Sequence, residues 1–223
     1  MMQYLIPMLA VLAGYGFAFF LRPENKSRIK LLLSFSGSFL LSLTVMHLLP
    51  EVYESHGKSI GLFIMGGILF QIVLEFFSKG AEHGHVHGHH EMRNIPWALF
   101  ISLCLHALLE GFPVSHHHDM AIAIAVHHFP IAIILTIFFV SAKLNKTSIF
   151  IFMLAFALMT PLGTAVSQFV PQVNHYYNEI TAVVIGILFH ISSTIIFEAT
   201  ENHKFNLAKL TMIALGILSA AFL

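Results

Sequence analysis

MAIAIAVHHFPIAIILTIFFV, residues 120–140, holds no Lys, Arg, Asp or Glu, yet carries His127, His128 and Pro130 at its centre. A helix of about 17–25 apolar residues is what crosses a bilayer, and this stretch has that length. Imidazoles at its midpoint would be costly against lipid, so they face a bundle interior and serve a partner or a task. The run therefore predicts a membrane-spanning helix with a polar centre.

Working outward, seven more runs of similar character appear: Tyr4–Leu21, Ile29–Leu49, Ile60–Phe77, Ile95–Val114, Thr147–Val170, Ile180–Ile196 and Phe205–Leu223. With Met120–Val140 they predict an all-α membrane protein of eight transmembrane helices. The expected organisation is a single transmembrane domain over residues 1–223, with residues 78–94 as a loop inside it. Span seven is the most polar, carrying His190, Ser192, Ser193 and Thr194. The first run reads as a span rather than a cleaved signal, because basic residues follow it instead of preceding it.

Composition agrees. Of 223 residues 57% are hydrophobic and 10% charged, with a mean hydropathy of +0.81, where a soluble domain has about 25% charged residues. Eleven basic residues balance eleven acidic ones, so no cationic footprint for nucleic acid exists. A single cysteine, Cys104, excludes an intrachain disulfide and a multi-cysteine zinc cage.

Charge then orients the spans. With both termini outside, Arg22, Lys26, Arg28, Lys30, Lys79, Arg93, Lys143, Lys146, Lys204 and Lys209 fall on the cytoplasmic side and Lys58 alone outside, as positive-inside loops require. The expected location is a prokaryotic cytoplasmic membrane.

Polar side chains inside the spans are the candidate site. His106 and Glu110 share one face of span four at i and i+4. From a rise of 1.5 Å per residue, His106 lies roughly 15 Å, His127 and His128 roughly 11–12 Å, and His190 roughly 15 Å into their spans. These depths are near the middle of a core about 30 Å thick. Neutral imidazole and carboxylate oxygen bind zinc and other first-row divalent ions. His106, Glu110, His127 and His128 are thus read as a metal site. His47 and Glu51, in the His47-Leu-Leu-Pro50-Glu51 segment closing span two, are read as its entrance. His190 is weighed equally as an ion ligand and as a hydrogen-bond partner of a neighbouring helix. Gln71 and Glu75 are read as glue between helices in preference to an exit route. Pro50, Pro130 and Pro161 mark expected breaks that free backbone carbonyls.

Two histidine-rich connectors follow. Glu82-His83-Gly-His85-Val-His87-Gly-His89-His90-Glu91 lies between spans three and four, and His116-His117-His118-Asp119 precedes span five. Such tracts read compositionally as metal-binding, here cytoplasmic and outer respectively.

These residues resemble the ZIP (Zrt/Irt-like) family of divalent metal transporters. Span four, His106-Ala107-Leu108-Leu109-Glu110-Gly111, keeps the histidine, carboxylate and glycine of that family's His-Asn-x-Pro-Glu-Gly. Span five, His127-His128-Phe129-Pro130-Ile131-Ala132, keeps the first histidine and the proline of His-Glu-x-Pro-(His/Glu)-(Glu/Gly). The resemblance implies a 3+2+3 inverted-repeat bundle, with His106, Glu110 and His127 as ligands and His128 where a carboxylate is common. Ala107 and Ile131 depart from the pattern, which points to a single or asymmetric site. Its imidazole content favours nitrogen-preferring ions over Mg²⁺ or Ca²⁺.

The expected function is a carrier of divalent metal ions, Zn²⁺ first and Fe²⁺ or Mn²⁺ after it, into the cytoplasm; the inward direction comes from the resemblance. The ion is cargo, no organic cofactor is expected, and the partners are metal ions and the lipid bilayer, with a homodimer left open. Because imidazole ligates only when deprotonated, uptake should weaken on acidification. Two other readings stand beside this one: an intramembrane zinc-dependent hydrolase with Glu110 as general base, and a metal sensor without transport. The first is disfavoured because the chain lacks a His-Glu-x-x-His run and an evident nucleophile, so the protein is expected not to be an enzyme.

Overall fold

A computed structural model describes residues 1–20, 26–56, 59–78, 95–198 and 207–223. Every regular element among them is helical: α1 Met2–Ala18, α2 Lys26–Leu43, α3 Leu49–His56, α4 Ile60–Ser78, α5 Trp97–Glu110, α6 His118–Ser141, α7 Lys146–Phe169, the single turn α8 Pro171–Asn174, α9 Tyr177–Glu198 and α10 Leu207–Ala220. Among the described residues, six helical stretches are long and apolar enough to cross a membrane: Arg28–Glu54, Ile60–Ser78, Trp97–Ser115, His118–Ser141, Lys146–Phe169 and Tyr177–Phe197. The helices α1 and α10 are apolar but shorter. The protein is an integral membrane protein by the length and composition of these helices.

Span two departs from expectation. Pro50 and Glu51 do not close it: the helix runs on to His56, and Thr44–Leu48 forms one π-helical turn between α2 and α3. Proline has no N–H to give to the preceding turn, and a wider turn just before it absorbs that mismatch without ending the helix. Nor does Pro130 or Pro161 break its helix; both lie inside continuous α6 and α7. The α6 helix also starts earlier than expected, at His118, so only His116 and His117 remain in the connector that follows the short 3₁₀ turn Pro113–Ser115. At the other end of α6, Asn145 caps α7 by accepting the Thr147 N–H at 3.0 Å, a common helix-start device.

Hydrophobic burial does not drive one lipid-solvated helix onto another, so close backbone approach through small residues does that work. The helices pair accordingly: α1 on α6, α4 on α9, α10 on α2 and α5 on α7. Each contact has a glycine in it. Gly14 faces the Phe129 carbonyl, Gly67 and Gly186 bring α4 onto α9, Gly216 lies against Ser38 of α2, and Gly111 and Gly163 join α5 to α7. Between these contacts, Leu103, Leu135, Phe139, Phe152 and Ile191 fill one buried cluster, and Leu40, Leu43, Ile124, Ile185 and Leu188 another. The outward faces are apolar too, with Leu62, Met65, Leu69 and Phe76 exposed along α4, where a soluble bundle would present charge.

Candidate metal centre

The tightest of these contacts places Glu110. It is the last residue of α5, and a β-carbon on the following Gly111 would sit 2.1 Å from the Thr160 carbonyl of α7. The Thr164 hydroxyl donates to the Gly111 carbonyl at 2.8 Å, tying down the end of α5. One turn earlier, His106 Nε2 lies 3.2 Å from Glu110 Oε1. From α6, the His128 imidazole donates through Nε2 to Glu110 Oε2 at 2.8 Å, and its ring packs on Phe156 with centroids 5.1 Å apart. All three side chains are at most 1% exposed. A carboxylate in that position would be costly alone, and the two flanking imidazoles offset part of that cost.

One ligand atom from each of His106, Glu110 and His128 lies within 4.8 Å of the others. Donors on a tetrahedral zinc with bonds of about 2.0–2.1 Å stand about 3.4 Å apart. Small rotations about the side-chain torsions would therefore bring two nitrogens and one oxygen onto a common ion. Three protein ligands would leave the fourth position of a tetrahedral ion open.

The other expected site residues lie elsewhere. His127 is fully buried beside His128, ring centroids 6.0 Å apart, but is outside the three-residue group. His47 is partly buried within the π turn. Glu51, on α3, accepts a hydrogen bond from His117 of the connector before α6. His83, His85, His87, His89 and His90 lie outside the described residues. Cys104 is half-buried.

His190 has a partner that sequence alone did not name. Its Nε2 donates to Glu75 Oε2 of α4 at 2.6 Å, with both side chains partly exposed. Two polar residues at half-buried positions of spans three and seven were the available signal; no spacing rule connects residues so distant in sequence. The pair crosses the α4–α9 contact, as the helix-glue reading of Glu75 expects. A double-mutant cycle with Glu75→Gln and His190→Gln should give a coupling of about 1 kcal/mol, the scale of polar pairs between membrane helices, read from unfolding in detergent. Additive losses would mean that the contact contributes nothing to helix association.

No protein-family model matches the chain. Part of it is similar to zinc transporters. The Zinc transporter SLC39A7 of Rattus norvegicus is 30% identical over 86 residues, covering 30% of this chain and 18% of that protein. Its counterpart from Mus musculus is 31% identical over the same shares. The matched segment thus spans less than a fifth of the length of these curated relatives.

Proposed function

We propose that this protein carries divalent transition-metal ions, Zn²⁺ foremost, across a membrane through a site built on His106, Glu110 and His128. One observation carries the reading: a wholly buried carboxylate stands between two imidazoles from two different membrane helices, with the donors within reach of one ion. Zinc is favoured by the nitrogen-rich donor set and by the partial similarity to proteins named as zinc transporters.

In the finer reading the chain is a ZIP-type transporter of eight spans, α1 and α10 completing the six longer ones, with both termini outside a prokaryotic cytoplasmic membrane and transport inward. The helix pairing supports its 3+2+3 inverted repeat. Exchanging α1 with α7, α2–α3 with α9, α4 with α10 and α5 with α6 turns the α4–α9 contact into α10–α2, and α1–α6 into α7–α5. The glycines follow: Gly14 against α6 matches Gly163 against α5, and Gly67 against α9 matches Gly216 against α2. Inverted repeats around a midplane site are a common transporter plan. On this route His47 and Glu51 stand at the entrance, His127 lines the site beside His128, and His190 with Glu75 follows it. The loop histidines at positions 83, 85, 87, 89 and 90 receive the ion.

Purified protein in liposomes loaded with a zinc-sensitive dye tests the proposal against a panel of divalent ions. Zn²⁺ should enter in a saturable manner and Mg²⁺ and Ca²⁺ should not. A protein that binds zinc and hydrolyses amides or lipids yet passes no ion would instead be the intramembrane hydrolase. Deleting residues 83–90 should leave most of the flux, because the midplane site is built from His106, Glu110 and His128 and takes no ligand from that segment. Loss of all flux on that deletion would move the site into the loop.

A further inference from the structure

Threonines inside helices ordinarily satisfy their hydroxyl on their own backbone, one turn back. Thr44, Thr136, Thr194 and Thr211 all do so, donating to the carbonyls of Leu40, Ala132, His190 and Leu207. Thr160 does not. Its side chain is 1% exposed and its Oγ1 has no hydrogen-bond partner. In a membrane interior a buried hydroxyl without a protein partner is uncommon and calls for a reason.

Its position supplies one. Thr160 lies on α7 one turn after Phe156, whose ring covers His128, and one turn before Thr164, which binds the Gly111 carbonyl. The Thr160 backbone itself abuts Gly111, the residue next to Glu110. The face of α7 that carries Thr160 therefore spans from His128 on α6 to the end of α5, alongside the three-ligand group.

We infer that Thr160 is a third-helix positioning residue of the metal site, its hydroxyl holding the water that fills the ion's fourth coordination position. The group of His106, Glu110 and His128 supplies three ligands where zinc takes four, and a water on the open position needs an acceptor or donor beyond the ion. Outer groups that orient ligands contribute strongly to metal affinity. This inference rests on the transport-site reading, and it adds a residue from α7 that places ion selectivity partly on that helix.

The full chain in lipid nanodiscs, titrated with Co²⁺ alone and followed by the absorption band of four-coordinate cobalt, tests it. Thr160→Val keeps the size and removes the hydroxyl. It should weaken Co²⁺ binding by about 10–100-fold, alter the band, and raise the KM for Zn²⁺ uptake more than it lowers the maximal rate. Its thermal midpoint should stay equal or rise, since an unsatisfied buried hydroxyl is removed; a packing role predicts a fall instead. Thr160→Ser should restore affinity and band, and Thr160→Ala should reproduce the valine result if valine disturbs folding. Wild-type Co²⁺ affinity and band in both hydroxyl-free variants, while His106→Ala loses both, would overturn the role of Thr160 alone. If His106→Ala and Glu110→Gln also leave Co²⁺ binding and Zn²⁺ uptake intact, the transport site falls and Thr160 with it.

Discussion

Glu110→Gln should abolish Zn²⁺ uptake into liposomes while the protein still inserts and folds. Glutamine keeps the shape and can still hydrogen-bond to one imidazole, so gross unfolding is not the expected outcome. What disappears is the negative charge and the anionic oxygen between His106 Nε2 and His128 Nε2, now 3.2 and 2.8 Å away. A divalent ion entering a buried site with two neutral imidazoles and an amide would carry its full charge into a low-dielectric interior, which is prohibitive without a counter-charge. Losing even an outer-shell partner of a metal costs about 10–100-fold in affinity or activity, so the loss of the anionic ligand should exceed that. His106→Ala should behave similarly. Uptake in Glu110→Gln equal to that of the unaltered protein, at equal incorporation, would remove the site from the transport path.

Gly163→Ala should lower both thermal stability in detergent and uptake, although no ligand is touched. A β-carbon there would stand 1.9 Å from the Leu108 carbonyl oxygen and 2.9 Å from its carbon, against 3.4 Å or more in ordinary contact. The obstacle is backbone in the last turn of α5, which cannot rotate aside as a side chain would, so the α5–α7 contact must open. Overpacking of this kind costs about 1–3 kcal/mol or more, and metal-ligand distances tolerate only about 0.2 Å. The displacement acts on the last turn of α5, where His106 and Glu110 lie. Gly66→Ala is the control: nothing lies within 4 Å of a β-carbon at Gly66, and the change should leave both readouts unaltered. Equal behaviour of the two variants would show that the α5–α7 approach does not position the ligands.

The two predictions divide along the line between local and tertiary information. The His106/Glu110 pair was legible because i and i+4 meet on one helix face whatever surrounds the helix. The i, i+4 rule has no counterpart for His127 and His128. Adjacent residues point about 100° apart on a helix, so only one of them can face a given neighbour squarely, and the rotation of α6 chooses which. That rotation is set by the α1–α6 contact through Gly14 and the α2–α6 contact, neither of which periodicity reveals. It brings His128 to Glu110 and leaves His127 beside it. The Glu75–His190 and Glu51–His117 contacts were hidden for the same reason, since each joins segments distant in sequence. Pro50 misled because proline removes one hydrogen bond without ending a helix when a π turn adjusts the register before it.

By itself the sequence determined that this chain is helical and membrane-embedded, because a hydrocarbon core demands about twenty apolar residues per crossing and internal satisfaction of every backbone polar group. It also determined which residues are too polar for lipid and must turn inward. Only the tertiary structure decided which of those inward residues meet. In a membrane helix the apolar faces are nearly interchangeable, so helix rotation is fixed by where glycines let two backbones close to contact.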